Sequence, residues 1–423
     1  KGCDNVQSIR CAALQPPTIS SLLQADKMQQ ITVSVPIGRK GVYYMSEGWG
    51  GCKEVVEAGY SVMLSGNATS ALVHGMGMYA AGESVTLSSE SYMANELQRA
   101  VVKGWNINDV WHEGETVTFV PDANSVVTPV YGLSAPDFSL AQISFSLEAK
   151  SDTTHYLRLG LNGSAKIYDE NGVLIQDKSV GDREYTLQLH KGIQKFAITG
   201  GLYHVQLNDY NEYNTTVMSD LRIKDDKLHY LTAYYLGLQE VDLTGCPELY
   251  TINLSYNALK ELDLSGCTSL GDVYVDNNAL QTICLGEKPN LTSLSLSDNS
   301  LRELDLEGCP SLEYLSAYNN ALQTISLGEK PNLISLDLDN NSLQELDLDG
   351  CPALERLYVN NNVLQTVNMG NCTQLESVDV GRNELKHLDV PNDQMQWFRW
   401  EDNPMAFSCL TPQIYESLKQ AGQ

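Results

Sequence analysis

The sequence predicts a mainly β chain whose C-terminal part is a parallel-stranded solenoid. Three observations predict it. From Leu249 the chain recurs every 21 residues, as LYTINLSYNALKELDLSGCTS, LGDVYVDNNALQTICLGEKPN, LTSLSLSDNSLRELDLEGCPS and onward. Within each unit apolar residues alternate over short steps, first Leu249, Ile252 and Leu254, then Leu259, Leu262 and Leu264. An asparagine holds one phase of the repeat, at Asn257, Asn278, Asn299, Asn320, Asn341, Asn362 and Asn383.

Each observation has a structural consequence. A period of two is that of a strand, so both halves of a unit contain a short strand. Such strands cannot bury an apolar face alone. Stacking turn on turn, about 4.8 Å apart, gives a continuous Leu/Ile/Val core and two parallel ladders. The asparagines turn the chain inward, and their amides can satisfy backbone groups of neighbouring turns. A degenerate copy opens at Leu228, with Leu236 at the asparagine position, and a last one opens at Leu375 about one residue short.

The nested pattern L-x-x-L-x-L-x-x-N and L-x-x-L-x-L resembles the leucine-rich-repeat superfamily, in particular the 21-residue class of bacterial surface proteins. The resemblance covers residues 227–403. It implies a right-handed leucine-rich-repeat solenoid of about eight turns, preceded by small β-rich domains, and a secreted or cell-surface location. After the repeats, Phe398 and Trp400 take the apolar positions of a final strand. Residues 404–423 are expected to form a C-terminal cap, with Thr411-Pro412 opening a helix to about Gln420.

Residues 1–136 lack the repeat and read as β-rich, with strands expected at Ile31–Val35, Val85–Leu87 and Val117–Val120. The stretches from Ala71 and Ala100 share A-x-V-x-G followed by G-E-x-V-T, and Gly82 and Gly114 are each expected to lead into a strand. Gly75, Gly77, Tyr79, Gly82, Val85 and Leu87, with Gly104-Trp105, resemble the β-repeat modules of internalin-type proteins, over about 71–132. Residues 137–226 are expected to form a small β-sandwich capping the solenoid, with strands at Ile143–Leu147 and Tyr185–Leu189. Asp169-Glu170-Asn171-Gly172 is a hairpin signal, and Met218, Leu221 and Ile223 resemble a half-turn leading into the repeats.

Composition narrows the function. Lys and Arg number 27 against 53 Asp and Glu, a net charge of −26. That balance argues against nucleic acid and anionic lipid; it favours solubility and can steer a basic partner. No apolar run is long enough to span a membrane. The chain opens at Lys1 without Met or a signal-peptide pattern, so a targeting segment has been removed or the chain trimmed; a lipid anchor on a removed segment is allowed. No C-x-x-C pair or zinc spacing occurs among the ten cysteines. Cys246, Cys267, Cys309, Cys351 and Cys372 share one phase and are expected inside as free thiols, with Cys246/Cys267 and Cys351/Cys372 the adjacent-turn pairs that a bridge could join. Cys284 is expected to be exposed. Cys3, Cys11, Cys52 and Cys409 lie outside the repeat phase.

No catalytic constellation emerges, and the chain reads as no enzyme. Asp263, Asp305 and Asp347 recur as hydrogen-bonding or solubility residues, not as a carboxylate pair. Cys52 and His74 lack an orienting partner. No calcium loop, phosphate loop, G-x-S-x-G or H-E-x-x-H is present, so neither metal nor cofactor is expected. The candidate surface is the outward face of the first strands: Tyr230, Tyr234, Tyr235, Tyr250, Tyr256, Tyr274, Asp276, Tyr318, Asp339 and Tyr358. Exposed tyrosine offers large contact area with a hydrogen-bonding hydroxyl; the alternative is that the rings only stack to stabilise the sheet. The expected partner is an extracellular protein, with a glycan second and a structural spacer third.

Overall fold

The computed structural model describes residues 6–17, 28–47, 49–65, 72–178, 184–207, 216–391 and 395–404. Cys3, Cys409 and the helix expected from Thr411 lie outside the described residues. The chain divides into two compact units, Lys1–Asp137 and Phe138–Gln423.

The first unit is β-rich. Strands Ser8–Arg10, Thr32–Val35 and Glu54–Glu57 form a parallel sheet, with helix Lys40–Met45 between the last two. Ile31, Val33, Val35, Val55, Tyr43 and Trp49 bury its apolar face, and the last two rings meet edge to face at 5.2 Å. A second sheet runs in the order Val110–Glu113, Arg99–Ile107, Ser125–Leu133, Tyr60–Leu64, Gly77–Tyr79. Its inward residues pack around the fully buried Trp105. The two G-E-x-V-T motifs become strands Val85–Ser89 and Val117–Phe119, which pair antiparallel with each other. Gly82 and Gly114, at φ +85° and +122°, supply the left-handed backbone before them.

The second unit has one continuous apolar core from Ile143 to Phe398. Strands Ile143–Ala149, Thr153–Tyr168, Glu184–Leu189, Gly192–Gln206 and Thr216–Ile223 pair antiparallel. The expected hairpin turn follows Tyr168, where the Asp169 carboxylate accepts from the N–H groups of Asn171 and Val173 and Gly172 takes φ +74°. Gly192–Gln206 then pairs parallel with Tyr230–Thr232, and Thr216–Ile223 with Glu240–Asp242. The first strand of each ladder thus finds its backbone partners before the repeat begins.

The solenoid follows from the 21-residue pattern. One ladder runs unbroken through Tyr230–Thr232, Thr251–Asn253, Asp272–Tyr274 and their successors to Trp397–Arg399. The opposite ladder, expected to be continuous, forms in pairs: Glu261–Asp263 with Thr282–Cys284, Glu303–Asp305 with Thr324–Ser326, and Glu345–Asp347 with Thr366–Asn368. The ladder first breaks between Glu240–Asp242 and Glu261–Asp263, and the next two breaks come after Gly286 and Gly328, at φ +65° and +63°. The asparagine ladder ties adjacent turns together. Asn299 donates to the carbonyls of Val275 and Leu296, one turn apart, and accepts from the N–H of Leu280. Asn403, one residue early, makes the same bonds to Val380, Trp400 and Leu385 and so still belongs to the ladder. In the degenerate first turn, the N–H groups of Leu236 and Leu238 both donate to Asn257.

Candidate docking face

In the unbroken ladder each strand has three residues with the middle one buried, such as Ile252, Val273 or Leu294. The two flanking residues face out. A buried residue follows, then an outward residue, then one in left-handed backbone, and then the ladder asparagine. Tyr230 opens its strand and Tyr274 and Tyr358 close theirs, while Tyr234, Asp276, Tyr318 and Asp339 occupy the outward position just beyond. Tyr230, Tyr235, Tyr250, Tyr256 and Tyr274 are exposed, whereas Tyr234, Tyr318 and Tyr358 are half-buried.

The structure joins three of the early tyrosines, Tyr234, Tyr235 and Tyr256, in one cluster. Tyr235 and Tyr256 stack with ring centroids 4.2 Å apart and planes 14° from parallel. Tyr234 meets Tyr235 edge-on at 5.8 Å. The ring of Tyr230 lies 6.1 Å from that of His204 and 6.3 Å from that of His229. Tyr250 covers Gly271 of the next turn, where a Cβ would meet its ring at 2.4 Å, so this tyrosine also shields backbone. Desolvation, and then the neighbouring Tyr256 hydroxyl, holds the Tyr235 hydroxyl above its ordinary pKa. Tyr318, Asp339 and Tyr358 lie several turns away and do not join the cluster.

A feature that the sequence reading missed sits in the same turns. One position per turn has positive φ: Tyr235, Tyr256, Asn277, Asp298, Asn319, Asn340, Asn361, Arg382 and Asp402, all between 53° and 59°. Asn and Asp tolerate this conformation because their short side chains bond locally; a bulky side chain there is strained. The signal was present in the sequence, as the Asn or Asp before six of the ladder asparagines, Asn278, Asn299, Asn320, Asn341, Asn362 and Asn403. Tyrosine breaks that rule in two adjacent turns, at the two rings that stack, and Arg382 breaks it once near the end.

The carboxylates of the face are partly self-contained. Asp276 accepts from the Ser295 hydroxyl at 2.5 Å and the Ser297 N–H at 2.9 Å, which ties it to the next turn. Asp339 does the same for the Asn360 N–H at 2.6 Å. Burial first, then the nearby Asp337 and Asp379, raises the Asp339 carboxyl to about 6. Arg399 reaches Asp379 at 3.4 Å and lies 5.9 Å from the Trp397 ring centre.

The opposite ladder makes a different surface. Asp242, Asp263, Asp305 and Asp347 each accept from the N–H two residues on, a turn-forming bond. Cys284 is exposed, and the in-phase cysteines are buried free thiols. Burial raises Cys267 and Cys372 to about 12. Two lysines interrupt that column. Lys288 and Lys330 stand 21 residues after Cys267 and Cys309, are fully buried, and burial holds both below the ordinary lysine pKa. Lys330 donates to the carbonyl of Leu306 at 2.9 Å, the bond that Cys267 and Cys372 make to Leu243 and Leu348. Among the described residues, no group of three or more His, Cys, Asp or Glu is placed to hold a metal ion, and no helix is long and apolar enough to cross a membrane.

Residues 236–396 match the family model described as the leucine-rich repeats of the FBD-associated F-box protein At5g56370. This region is a leucine-rich-repeat solenoid, an architecture that generally serves protein–protein interaction. A comparison with curated proteins found no match. Among solved structures, the functional domain of InlJ from Listeria monocytogenes, described as including a cysteine ladder, is 26% identical with a TM-score of 0.40. The match covers 42% of this chain and 40% of that one. YopM from Yersinia enterocolitica is 25% identical, with 48% of each chain covered and a TM-score of 0.37. This chain therefore spans less than half the length of either.

Proposed function

We propose that this is a non-catalytic recognition protein that docks another protein on its unbroken ladder face, outside the cell at a bacterial surface. The observation that carries the reading is the Tyr235–Tyr256 stack, held in left-handed backbone where most other turns place Asn or Asp. Left-handed backbone costs a bulky L-residue on the order of 1–2 kcal/mol. A ring pair contributes about 0.5–1.5 kcal/mol beyond burial. Two strained positions for one ring pair is a poor exchange for stability alone, whereas an exposed aromatic platform suits an interface. Tyr234 meets the stack edge-on, and Tyr230, Tyr250 and Tyr274 stand exposed across three turns. The nested 21-residue pattern supports the extracellular setting.

The test is a binding screen of the purified chain against arrays of extracellular proteins and of glycans. A protein hit that disappears when Tyr234, Tyr235 and Tyr256 are together replaced by Ser, with folding retained, is the expected result. A protein hit indifferent to that triple variant would move the site elsewhere. A glycan hit lost in the variant would replace protein docking with sugar binding on the same platform.

A further inference from the structure

We propose that the early tyrosine cluster receives an arginine-bearing segment of a basic protein, with one guanidinium stacked on the outer face of Tyr256 beside Asp276 and Asp298. The proposal rests on the reading of this face as a docking surface and adds the chemistry of its partner.

Position in the repeat decides which ring face is open. Tyr235 covers one side of Tyr256, and the next residue in the same column is Asn277, too short to cover the other side. Tyr256 is 45% exposed. Asp276 and Asp298 follow one and two turns further along this edge. Charge then selects the ligand. Among the described residues, no lysine or arginine forms an ion pair with Asp276 or Asp298, and the face's own arginines are already engaged. Arg356 pairs with Glu355, Arg382 with Asp402, and Arg399 with Asp379. A partner that brings cations to this face meets carboxylates without a cation of their own, on a chain of net charge −26.

The last turns hold such an arrangement within the chain itself. There the Arg399 guanidinium lies over Trp397 and pairs with the carboxylate of Asp379. A planar guanidinium can stack on a ring and donate to a carboxylate in one pose; an ammonium cannot do both as well.

The test uses the full chain and three synthetic twelve-residue peptides, with serine alternating with arginine, lysine or citrulline, titrated by calorimetry at low salt. The arginine peptide should bind about fivefold tighter than the lysine peptide, and the neutral citrulline peptide more weakly than either. Tyr256→Asn should cut arginine-peptide affinity about fivefold while leaving the melting temperature near the parent's, because Asn already stands there in other turns. Tyr256→Phe should retain binding, and Asp298→Asn should weaken it. Equal affinity for the arginine and lysine peptides, indifferent to Tyr256→Asn, would reduce the effect to diffuse charge attraction and overturn the proposal. Absence of binding, or tighter binding of a neutral chito-oligosaccharide that depends on Tyr256, would also overturn it. If the peptides fail while an array partner still depends on Tyr234, Tyr235 and Tyr256, the docking reading stands and only the arginine chemistry falls.

Discussion

At the scale of single residues, the face is a compromise between what the turn needs and what it displays. Asp339 illustrates the tension. Its carboxylate satisfies the Asn360 N–H of the next turn, yet it is half-buried beside Asp337 and Asp379. Its folded-state pKa of about 6 lies above the ordinary 3.8. Between those values the folded chain keeps a proton that the unfolded chain has released, so this residue's contribution falls as pH rises through that window and is lost above about 6. Asparagine cannot ionise but can still accept from Asn360. Asp339→Asn should therefore match the parent's thermal stability near pH 4 and exceed it at pH 7. Melting curves from pH 4 to 7 check this, and a constant difference across the range would show that Asp339 is not the titrating group.

At the scale of the element, the repeated asparagine holds turn to turn. Replacing Asn299 with Ala leaves the buried Leu280 N–H without its acceptor, while the carbonyls of Val275 and Leu296 each lose one of two asparagine donors and keep the other, Asn278 and Asn320. With roughly 1–3 kcal/mol for the one buried group left unsatisfied, the expected loss is about 1–3 kcal/mol. The exposed neighbour Ser300→Ala should stay within about 0.5 kcal/mol, and urea denaturation of both variants separates the outcomes. Elements of this kind were legible in the sequence because a repeated side chain with one backbone task leaves one letter at one phase. Asn257 to Asn383, the inward cysteines and the exposed Cys284 all follow from phase alone. The left-handed column was also written there, but its meaning depends on φ, which no apolar periodicity reports. The association of the early tyrosines could be anticipated from adjacent turns; the stacking of Tyr235 on Tyr256, and the separation of Tyr318 and Tyr358 from them, required coordinates. The pairing of the opposite ladder was hidden because its strands carry the same L-x-L pattern on both sides of each break.

At the scale of the whole molecule, those breaks expose a repeat of two turns, not one. Along the inward column the order is Cys246, Cys267, Lys288, Cys309, Lys330, Cys351, Cys372, so no buried lysine neighbours another. The paired strands of the opposite ladder follow the same 42-residue rhythm, with Glu303–Asp305 bound to Thr324–Ser326. Removing residues 291–332 takes out one complete pair and leaves Lys288 followed by Cys351. Removing only 291–311 brings Lys288 and Lys330 onto adjacent turns and leaves Thr324–Ser326 without its partner. Two ammonium groups about 5 Å apart repel by about 3 kcal/mol at an effective dielectric of 20, and neutralising one of them at pH 7 also costs free energy. In a solenoid whose stability is close to a sum of nearest-neighbour terms, the longer deletion should remove turns without creating a bad interface. The smaller deletion should therefore be the more damaging one. Denaturation midpoints should stay near the parent's for the 42-residue deletion and fall well below it for the 21-residue deletion. Lys330→Cys placed in the shorter chain should recover part of that loss, because a thiol in this column bonds the same preceding carbonyl. If the 21-residue deletion proves as stable as the 42-residue one, the lysines are neutral passengers and the single turn is the true unit of this fold.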